Sequence, residues 1–438
     1  MNNKLTEGNI FKTLMMFALP YLLASFLQNF YGIADLYIVG QFNGAEVISA
    51  VSIGSQFMHL VTVIIMGLAM GATIRIGNAV GRKDYREASC IVGNSTLLFG
   101  IIAIIMTLFL LCLTSPVIQL MSTPVEAIQS TYDYLKICFI GIPFIISYNM
   151  ISSIYRGAGD SKSPMYFVSI ACITNIILDY LFVGGFHLGA SGAALATIIA
   201  QAFSTIIALF FMMKKSFVFP IHKKDFHLQS NFIKKILSSG TPIALQDGLI
   251  QISFLIITII ANSRGLIFAT GVGITEKIIS FLFLVPSAFL SALSASVAQN
   301  IGANKPQRAK QMLKYGLIIT VSFGMICAIT CQLIPQQLIS LFTSDQAVIQ
   351  AGSLYLMAYS LDCIFASIHF CFSGYFCGCN KPTISFIHNL LSIILIRIPG
   401  AYLASLLFVD TLYPMGLAAP LGSILSGIIC IIYYKKQR

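Results

Sequence analysis

Apolar stretches long enough to cross a lipid bilayer follow one another along nearly the whole chain of 438 residues. A membrane-spanning helix needs about 20 mostly apolar residues, and about twelve stretches meet that length. We place them at 12–39, 47–74, 89–114, 130–156, 165–184, 190–213, 236–261, 268–297, 312–334, 350–376, 384–408 and 414–434. The pattern predicts an all-α integral membrane protein with about twelve transmembrane helices.

The composition excludes most soluble classes of protein. Charged residues make up 9% of the chain, whereas a soluble domain carries roughly 25%, so a water-facing surface could not be covered. The 11 cysteines are predicted to be unpaired, because many of them lie within apolar runs as small buried side chains. The sequence has no Walker A motif, HExxH motif or Ser/His/Asp cluster. We therefore predict neither an enzyme nor a bound cofactor.

The positions of Lys and Arg predict how the chain is oriented in the membrane. Positive residues concentrate in alternate connections, as at 82–86, 214–224 and 305–310, and at both chain ends, while the other connections hold only Arg264. Cytoplasmic loops of membrane proteins carry an excess of Lys and Arg. We therefore predict a plasma (inner) membrane protein with both termini cytoplasmic. The net charge of +11 is assigned to an anionic membrane surface and not to nucleic acid.

An internal repeat divides the predicted helices into two halves. Four pairs of residues keep nearly one spacing, 220 to 222 residues: Pro20 with Pro242, Gly81 with Gly302, Ala88 with Ala309, and Tyr155 with Tyr375. We predict an N-terminal six-helix lobe at 1–213, a basic cytoplasmic linker at 214–235 and a C-terminal six-helix lobe at 236–438. Parallel repeats of this kind are typical of transporters, in which the substrate site lies between the repeats.

Several short motifs lie near the ends of the predicted helices. They are Ala18-Leu19-Pro20, Asp35-x-x-x-Val39-Gly40, Gly77–Ala88, Tyr155-Arg-Gly-Ala-Gly-Asp160, Gly189–Thr197 and Ala298–Ala309. Together they resemble the multidrug and toxic compound extrusion (MATE) family over the whole chain. The resemblance implies a two-lobed antiporter of twelve helices that exports organic, often cationic, compounds in exchange for Na⁺ or H⁺. It also implies a monomer with small-molecule partners.

Two aspartates of the first half are the strongest candidates for ion coupling. Asp35 lies near the outer end of the first stretch, and Asp179 lies in the fifth, one helical turn after Asn175. Ionisable groups within the bilayer are costly unless they are paired, hydrated or functional. Asn149 and Thr197 add oxygen atoms at a similar depth. In MATE relatives, the matching positions form a cation site in the N-terminal lobe.

The chemistry of these side chains admits two coupling ions. Carboxylate, amide and hydroxyl oxygens suit a hard cation, so Na⁺ binding is predicted at Asp35, Asn175, Asp179 and Thr197. The same carboxylates could instead bind H⁺. For each Asn or Thr taken alone, an ordinary hydrogen bond between helices is the alternative.

The second half does not duplicate this site. The repeat spacing places Ile257 opposite Asp35 (257 − 35 = 222) and Arg397 opposite Asp179 (397 − 179 = 218). An apolar residue and a cation thus stand where the first half has two acids. We therefore predict that coupling is centred in the N-terminal lobe.

Asp362 is a possible secondary acidic site. It matches an acidic position of another MATE branch, which also has a glutamate in its seventh helix. This chain has no such glutamate in Leu249-Ile-Gln251, and Asp247 is assigned to the start of that helix. Two interpretations of Asp362 stay open, a pair with Arg397 or a cation ligand.

Two backbone features and one alternative function complete the sequence predictions. Pro20 removes a helix hydrogen bond and is predicted to kink the first helix, and Gly67-x-x-x-Gly71 allows close helix contact.

The alternative function is a flippase for a lipid-linked envelope precursor. A cavity for an anionic lipid headgroup would present cationic side chains, but the predicted helices contain mainly Lys136, Lys277 and Arg397.

Overall fold

The computed structural model describes residues 4–121, 123–214 and 219–436, and these residues form helices and no strands. The helices of the first half are α1 (Ile10–Phe42), α2 (Ala45–Gly81), α3 (Tyr85–Cys112), α4 (Thr114–Leu120), α5 (Ile128–Ile140), α6 (Ile142–Gly157), α7 (Lys162–Asp179) and α8 (Gly189–Lys214). A π-helical turn at Tyr180–Gly185 follows α7.

The second half has a similar sequence of elements. Its helices are α9 (Ser230–Asn262), α10 (Leu266–Leu282), α11 (Leu284–Gly302), α12 (Pro306–Leu333), α13 (Pro335–Ser340), α14 (Gln346–Ser360), α15 (Asp362–Gly378), α16 (Pro382–Ser392), α17 (Ile398–Leu407), α18 (Tyr413–Gly416) and α19 (Ala418–Lys436). A second π-helical turn, Ile393–Arg397, joins α16 to α17.

The helices are long and apolar enough to cross a membrane about twelve times. Among the described residues, 11 segments pass tests of length and composition, and the pair α5 and α6, bent by 47°, makes a twelfth. The prediction of about twelve transmembrane helices in an all-α protein is therefore confirmed. The predicted stretch 268–297 is not one continuous helix but consists of α10 and α11, joined at Phe283.

The backbone of the loops shows the internal repeat directly. Lys83 and Asn304 have φ angles of 61° and 56°, and they lie 221 residues apart (304 − 83). Gly159 and Asn380, with φ angles of 92° and 61°, show the same separation (380 − 159). In all four loops the next residue donates its N–H to the carbonyl five residues earlier, at 2.8–3.0 Å. This is the Schellman arrangement that ends a helix, so equivalent helices end in the same way.

The helices that follow these four loops begin in two different ways. In the first half, the carboxylate of Asp84 accepts the N–H of Glu87 at 2.9 Å, and that of Asp160 accepts two N–H groups at 3.0 Å. In the second half, Pro306 and Pro382 each occupy the first turn. An aspartate satisfies free N–H groups, whereas a proline has none to satisfy. One backbone design is thus kept with different side chains.

The chain forms two compact units. The first comprises Leu19–Ala244, and the second comprises Lys4–Ala18 together with Leu245 and the described residues that follow. This grouping does not follow the predicted boundaries at 213 and 236, because the first turns of α1 and α9 each belong to the unit formed mainly by the other half. Lys215, part of the predicted linker, lies outside the described residues.

The beginning of α1 is held within the second unit by packing and hydrogen bonds. Leu14 and Phe17 are buried in an apolar cluster with residues of α11, α12 and α15. The guanidinium of Arg308 donates to the carbonyl oxygens of Glu7 and Gly8 at 2.6 and 2.7 Å. These contacts explain why this segment groups with the second unit.

The beginning of α9 is held within the first unit in a similar way. Gly240 lies against the backbone of Leu68 on α2. Two turns further along α2, Arg75 donates from Nε to the hydroxyl of Ser239 at 2.8 Å and to the carbonyl of Lys235 at 3.0 Å. The first turns of α9 therefore pack on α2.

Candidate functional site

Three of the predicted polar residues meet through their side chains in the first unit. Asp35 on α1 is 6% exposed, and its Oδ2 lies 3.4 Å from Oγ1 of Thr197 on α8. The amide of Asn175 on α7 donates to the same threonine oxygen at 3.5 Å. Three helices thus bring a carboxylate, a hydroxyl and an amide to one buried place.

Asp179 completes this cluster. It is the last residue of α7, has no exposed surface, and its carboxyl group lies close enough to that of Asp35 for the two to interact. A π-helical turn begins directly after it at Tyr180, and such irregular turns are frequent at functional sites. The two acids therefore face each other from α1 and α7, as the sequence predicts.

The cluster has acceptor oxygens that no protein group satisfies. Among the described residues, both carboxylate oxygens of Asp179 and Oδ1 of Asp35 and of Asn175 accept no hydrogen bond. Two ionised carboxylates can only accept, so their contact requires a proton or a cation between them. The described residues contain no group of three or more His, Cys, Asp or Glu side chains placed to hold a metal. A cation here would therefore use amide and hydroxyl oxygens as well.

Asn149 stands apart from these four residues. It is buried on α6, and its amide donates to the carbonyl of Ile145 in the same helix at 2.8 Å. Within the described residues, no hydrogen bond joins it to Asp35 or Asp179. Its role as a cation ligand stays a prediction.

Two further polar residues border the cluster and were not predicted. Tyr31 lies one turn before Asp35 on α1, and Gln201 lies one turn after Thr197 on α8; their side chains are close enough to interact. Both line a narrow crevice with Asn175, Thr197 and two alanines. A tyrosine four residues before an acid, and a glutamine four residues after a threonine, were the signals available in the sequence.

The second unit holds a polar cluster that contains a cation, Arg397. The Arg397 guanidinium donates to the hydroxyl of Tyr359 at 2.6 Å, and its centre lies 4.5 Å from the ring of Phe254. Asp362 and Glu276 interact with it electrostatically. Among the described residues no carboxylate oxygen lies within 4.0 Å of it. The alternatives for Asp362, pairing or cation binding, thus both remain.

Asp247 on α9 differs in position from the sequence prediction, whereas Ile257 on the same helix agrees with it. Asp247 is not at a helix start, since α9 begins at Ser230 and carries Asp247 in its middle turns. Ile257, opposite Asp35 in the repeat, is buried and apolar as expected. Glu276 on α10 accepts the hydroxyl of Thr258 at 3.2 Å, so Glu276 joins Asp362 and Asp247 among the acids within the helices of this unit.

Pro20 lies within α1, which is helical from Ile10 to Phe42. Pro242 occupies the corresponding place within α9. Each proline lies within two residues of the point where its helix passes from one compact unit to the other. The kink predicted at Pro20 stays a prediction.

These features define a multi-pass membrane transporter made of two repeated helical halves, with ionisable side chains buried inside its helices. A family model described as MatE matches residues 20–181 and 242–403, one copy in each half. The chain belongs to this family of membrane transporters. The two matched ranges are offset by 222 residues (242 − 20), in agreement with the repeat seen in the sequence and in the loops.

Curated relatives match the chain over most of its length. The probable multidrug resistance protein YpnP of Bacillus subtilis is 27% identical over 434 residues, which cover 99% of this chain and 96% of the relative. The multidrug export protein MepA of Staphylococcus aureus is 26% identical and covers 84% and 81%. The FAD transporter of Shewanella oneidensis is 26% identical and covers 99% and 96%.

A solved structure supports the fold independently. An outward-facing multidrug resistance MATE family transporter of the MOP superfamily superposes with a TM-score of 0.92. It is 19% identical and covers 99% of this chain and 97% of its own. At this identity the likeness concerns the fold alone.

Proposed function

We propose that this chain is a secondary active antiporter that exports amphipathic, often cationic, organic compounds in exchange for Na⁺ or H⁺. The observation that carries the proposal is the contact between the buried carboxyl groups of Asp35 and Asp179. Two negative charges inside a bilayer are costly. A bound proton or Na⁺ relieves their repulsion, and losing that ion restores it.

This repulsion is what would couple an ion gradient to transport. An ion can bias a conformational equilibrium only if it binds one state better than another. The cluster draws on α1, α7 and α8, so any change in how these helices pack alters the distance between the two carboxylates and hence their ion affinity. Asn175 and Thr197 would supply further oxygens to Na⁺, whereas a proton needs only the two carboxylates.

The substrate class rests on the relatives. YpnP and MepA are named for multidrug resistance and export, which favours chemically varied organic compounds. The Shewanella relative is named an FAD transporter, so a large anionic cofactor is a second substrate to test. We further propose that the protein works as a monomer in the cell membrane, with both termini in the cytoplasm.

Purified protein reconstituted in liposomes tests the proposal. Accumulation of ethidium, a lipophilic cation, would be followed under an imposed Na⁺ gradient and, separately, an imposed pH gradient, with FAD tested in parallel. We expect one gradient to drive ethidium accumulation at least tenfold above empty liposomes. Accumulation of neither compound under either gradient would contradict the proposed antiport.

A further inference from the structure

The two histidines His369 and His388 are buried side by side in the second unit. His369 on α15 is 6% exposed, His388 on α16 has no exposed surface, and their ring centres lie 5.7 Å apart. The other four histidines of the chain, at 59, 187, 222 and 227, are exposed. An imidazole can carry a proton near neutral pH, so this buried pair requires a physical explanation.

A single hydroxyl connects the first histidine to a carboxylate. Ser423 on α19 lies 3.3 Å from Nε2 of His369, and its side chain is close enough to the carboxyl group of Asp362 to interact with it. A serine hydroxyl can donate to one neighbour and accept from another. It can therefore pass a proton from the carboxyl group to the imidazole, giving up its own proton as it takes one.

The second histidine continues this polar chain. Its Nδ1 lies 3.2 Å from the hydroxyl of Ser426, and its Nε2 lies 3.0 Å from that of Ser373. Ser426 is one turn after Ser423 on α19, and Ser373 is one turn after His369 on α15. Both nitrogens of His388 thus meet groups that can donate or accept.

The row of polar groups runs along the length of α15. Asp362 begins α15, and Ser373 lies eleven residues later (373 − 362), or about 16 Å at the rise of an α-helix. Only five residues then remain before α15 ends at Gly378, next to the loop containing Lys381, which the charge pattern predicts to be cytoplasmic. The polar groups therefore lead from the interior of the bundle towards that end.

One atom distinguishes this arrangement from simple packing. Nδ1 of His369 is buried and has no hydrogen-bond partner among the described residues. An unsatisfied buried polar atom is costly, and an apolar residue at this position would avoid that cost. A proton that arrives at Nε2 can leave from Nδ1, which gives the free nitrogen a role.

We propose that Asp362, Ser423, His369 and His388 form a proton pathway that connects Asp362 with the cytoplasmic end of the second unit. A proton leaves the Asp362 carboxyl group for Ser423, whose own proton passes to Nε2 of His369, and the imidazolium then releases the proton on Nδ1. Rotation of the His369 ring, or one water, bridges the distance to His388. This inference rests on the proposed antiport only for its link to transport.

The neighbouring titratable groups are consistent with this path. Arg397 is the charged residue that acts on His369, besides His388 itself. The elements packed against α15 and α16 contribute others, and α11 contributes none. Within the bundle they include Tyr355 and Tyr359 on α14, Cys327 and Cys331 on α12, Cys430 on α19 and Asp247 on α9, which acts on Cys377 of α15, with Glu276 on α10 beyond Arg397. Nearer the predicted cytoplasmic end, α12 carries Arg308, Lys310, Lys314 and Tyr315, and α19 carries Tyr433, Tyr434, Lys435 and Lys436. Inside the bundle, the charged groups around the pair thus comprise one cation, Arg397, and the acids Asp362, Glu276 and Asp247.

A pair of variants at Ser423 tests the pathway in liposomes. Ser423→Ala removes the bridging hydroxyl, whereas Ser423→Thr keeps it. We expect Ser423→Ala and His369→Gln to lower the initial rate of ethidium accumulation driven by a pH gradient at least tenfold. Ethidium exchange at equal pH, which needs no net proton movement, should stay within twofold, and Ser423→Thr should restore the rate to within threefold. The exposed His59→Gln is the matched control.

A second measurement requires no transport. After a pH jump, stopped-flow infrared spectroscopy of the purified protein would follow the carboxyl band that disappears in Asp362→Asn. We expect the band to respond at the wild-type rate in His59→Gln, and at least tenfold more slowly in Ser423→Ala and His369→Gln. Equal infrared rates, or an equal loss of exchange and of gradient-driven uptake, would overturn the pathway. Failure of the wild type to transport ethidium, with slowed infrared rates in both variants, would overturn only the antiport.

Discussion

The carboxyl groups of Asp35 and Asp179 meet where neither can be solvated by bulk water. Asp179 has no exposed surface and Asp35 is 6% exposed. Two like charges close together in a medium of low dielectric constant repel strongly. The surrounding residues offer Thr197 and Asn175 as neutral partners and no Lys or Arg within salt-bridge distance among the described residues. The pair is therefore suited to an ion that binds and leaves, and poorly suited to a purely structural role.

Neutralising either acid of this pair should uncouple transport from the ion gradient. We expect Asp35→Asn and Asp179→Asn to reduce gradient-driven ethidium accumulation at least tenfold, because each removes the charge that the ion compensates. Asp362→Asn should slow the initial rate but preserve the final level, since the proposed pathway affects only delivery of protons. Size-exclusion profiles would check that all three variants fold. Full accumulation in both first-unit variants, with none in Asp362→Asn, would refute this assignment.

Asp225 holds the segment between α8 and α9 against α3. Its carboxylate accepts the hydroxyl of Ser89 at 2.5 Å and the backbone N–H of His222 at 2.8 Å. Burial would raise the pKa of Asp225, but these hydrogen bonds and the charges of His222 and Lys224 hold the pKa below its ordinary value. The carboxylate form is thus the one that the folded segment stabilises.

This depressed pKa predicts how the docking of the segment depends on pH. Because the folded pKa is lowered, the stabilisation is present above the ordinary value of about 4 and is lost as the pH falls through the lower folded value. We expect the His222 amide, corrected for intrinsic exchange, to lose protection from hydrogen exchange in that range. In the Asp225→Asn variant, this amide should be less protected already at neutral pH, with a free energy of local opening lower by about 1–3 kcal/mol. Equal protection in both proteins at pH 7 would contradict the role of the charge.

At the residue scale, the sequence predicted which polar groups converge better than it predicted their neighbours. Asp35, Asp179, Asn175 and Thr197 could be found because charges and amides inside apolar stretches are rare and require a reason. Tyr31 was not found. A tyrosine is common in membrane helices, and only the depth and rotation of α1, which packing determines, bring it to the crevice.

At the scale of elements, the glycines that reveal the repeat in the sequence are not the residues that adopt the left-handed conformation in the loops. Gly81 and Gly302 marked the repeat in sequence, but each is the last residue of its helix, and the left-handed positions are Lys83 and Asn304. Asparagine adopts this conformation readily and lysine does so at some cost. The helix break at Phe283 was missed, although Pro286 shortly after it cannot bond to the preceding turn.

The crossing of α2 and α9 depends on glycines that allow the two backbones to touch. A Cβ on Gly71 would lie 2.5 Å from the carbonyl oxygen of Ile236, and one on Gly240 would lie 2.4 Å from that of Leu68. Backbone atoms cannot move aside as the end of a side chain can. The close contact predicted for Gly67-x-x-x-Gly71 is therefore formed with the first half of α9.

Adding one methyl group at this crossing should destabilise the first unit. We expect Gly240→Ala to lower the thermal stability of the purified protein, by about 1–3 kcal/mol, because overpacking forces the helices apart. Gly100→Ala on α3 is the matched control, since nothing lies within 4 Å of its new Cβ and alanine favours a helix by up to about 1 kcal/mol. Unfolding temperatures measured in detergent would compare the stabilities of the two variants. A Gly240→Ala protein as stable as Gly100→Ala would contradict the close crossing.

At the scale of the whole molecule, the sequence predicted the repeat but not the division into compact units. The repeat and its offset were visible in the sequence because loops between membrane helices are short and their punctuation is preserved in both halves. The exchange of the first turns of α1 and α9 between the units was not visible. It depends on long-range contacts, such as those of Arg308 with Glu7 and Gly8, for which the sequence carries no local pattern.

The orientation of the whole chain is predicted from the positive residues alone and can be tested at two exposed positions. Lys224 lies in the segment between α8 and α9, and Glu126 lies in a connection on the predicted outer side; both are exposed. We expect a Lys224→Cys variant, in a background depleted of the native cysteines, to resist a membrane-impermeant thiol reagent in intact cells and to react after permeabilisation. Glu126→Cys should react in intact cells. Labelling of Lys224→Cys from outside, with Glu126→Cys protected, would invert the topology, because excess Lys and Arg is a property of cytoplasmic loops.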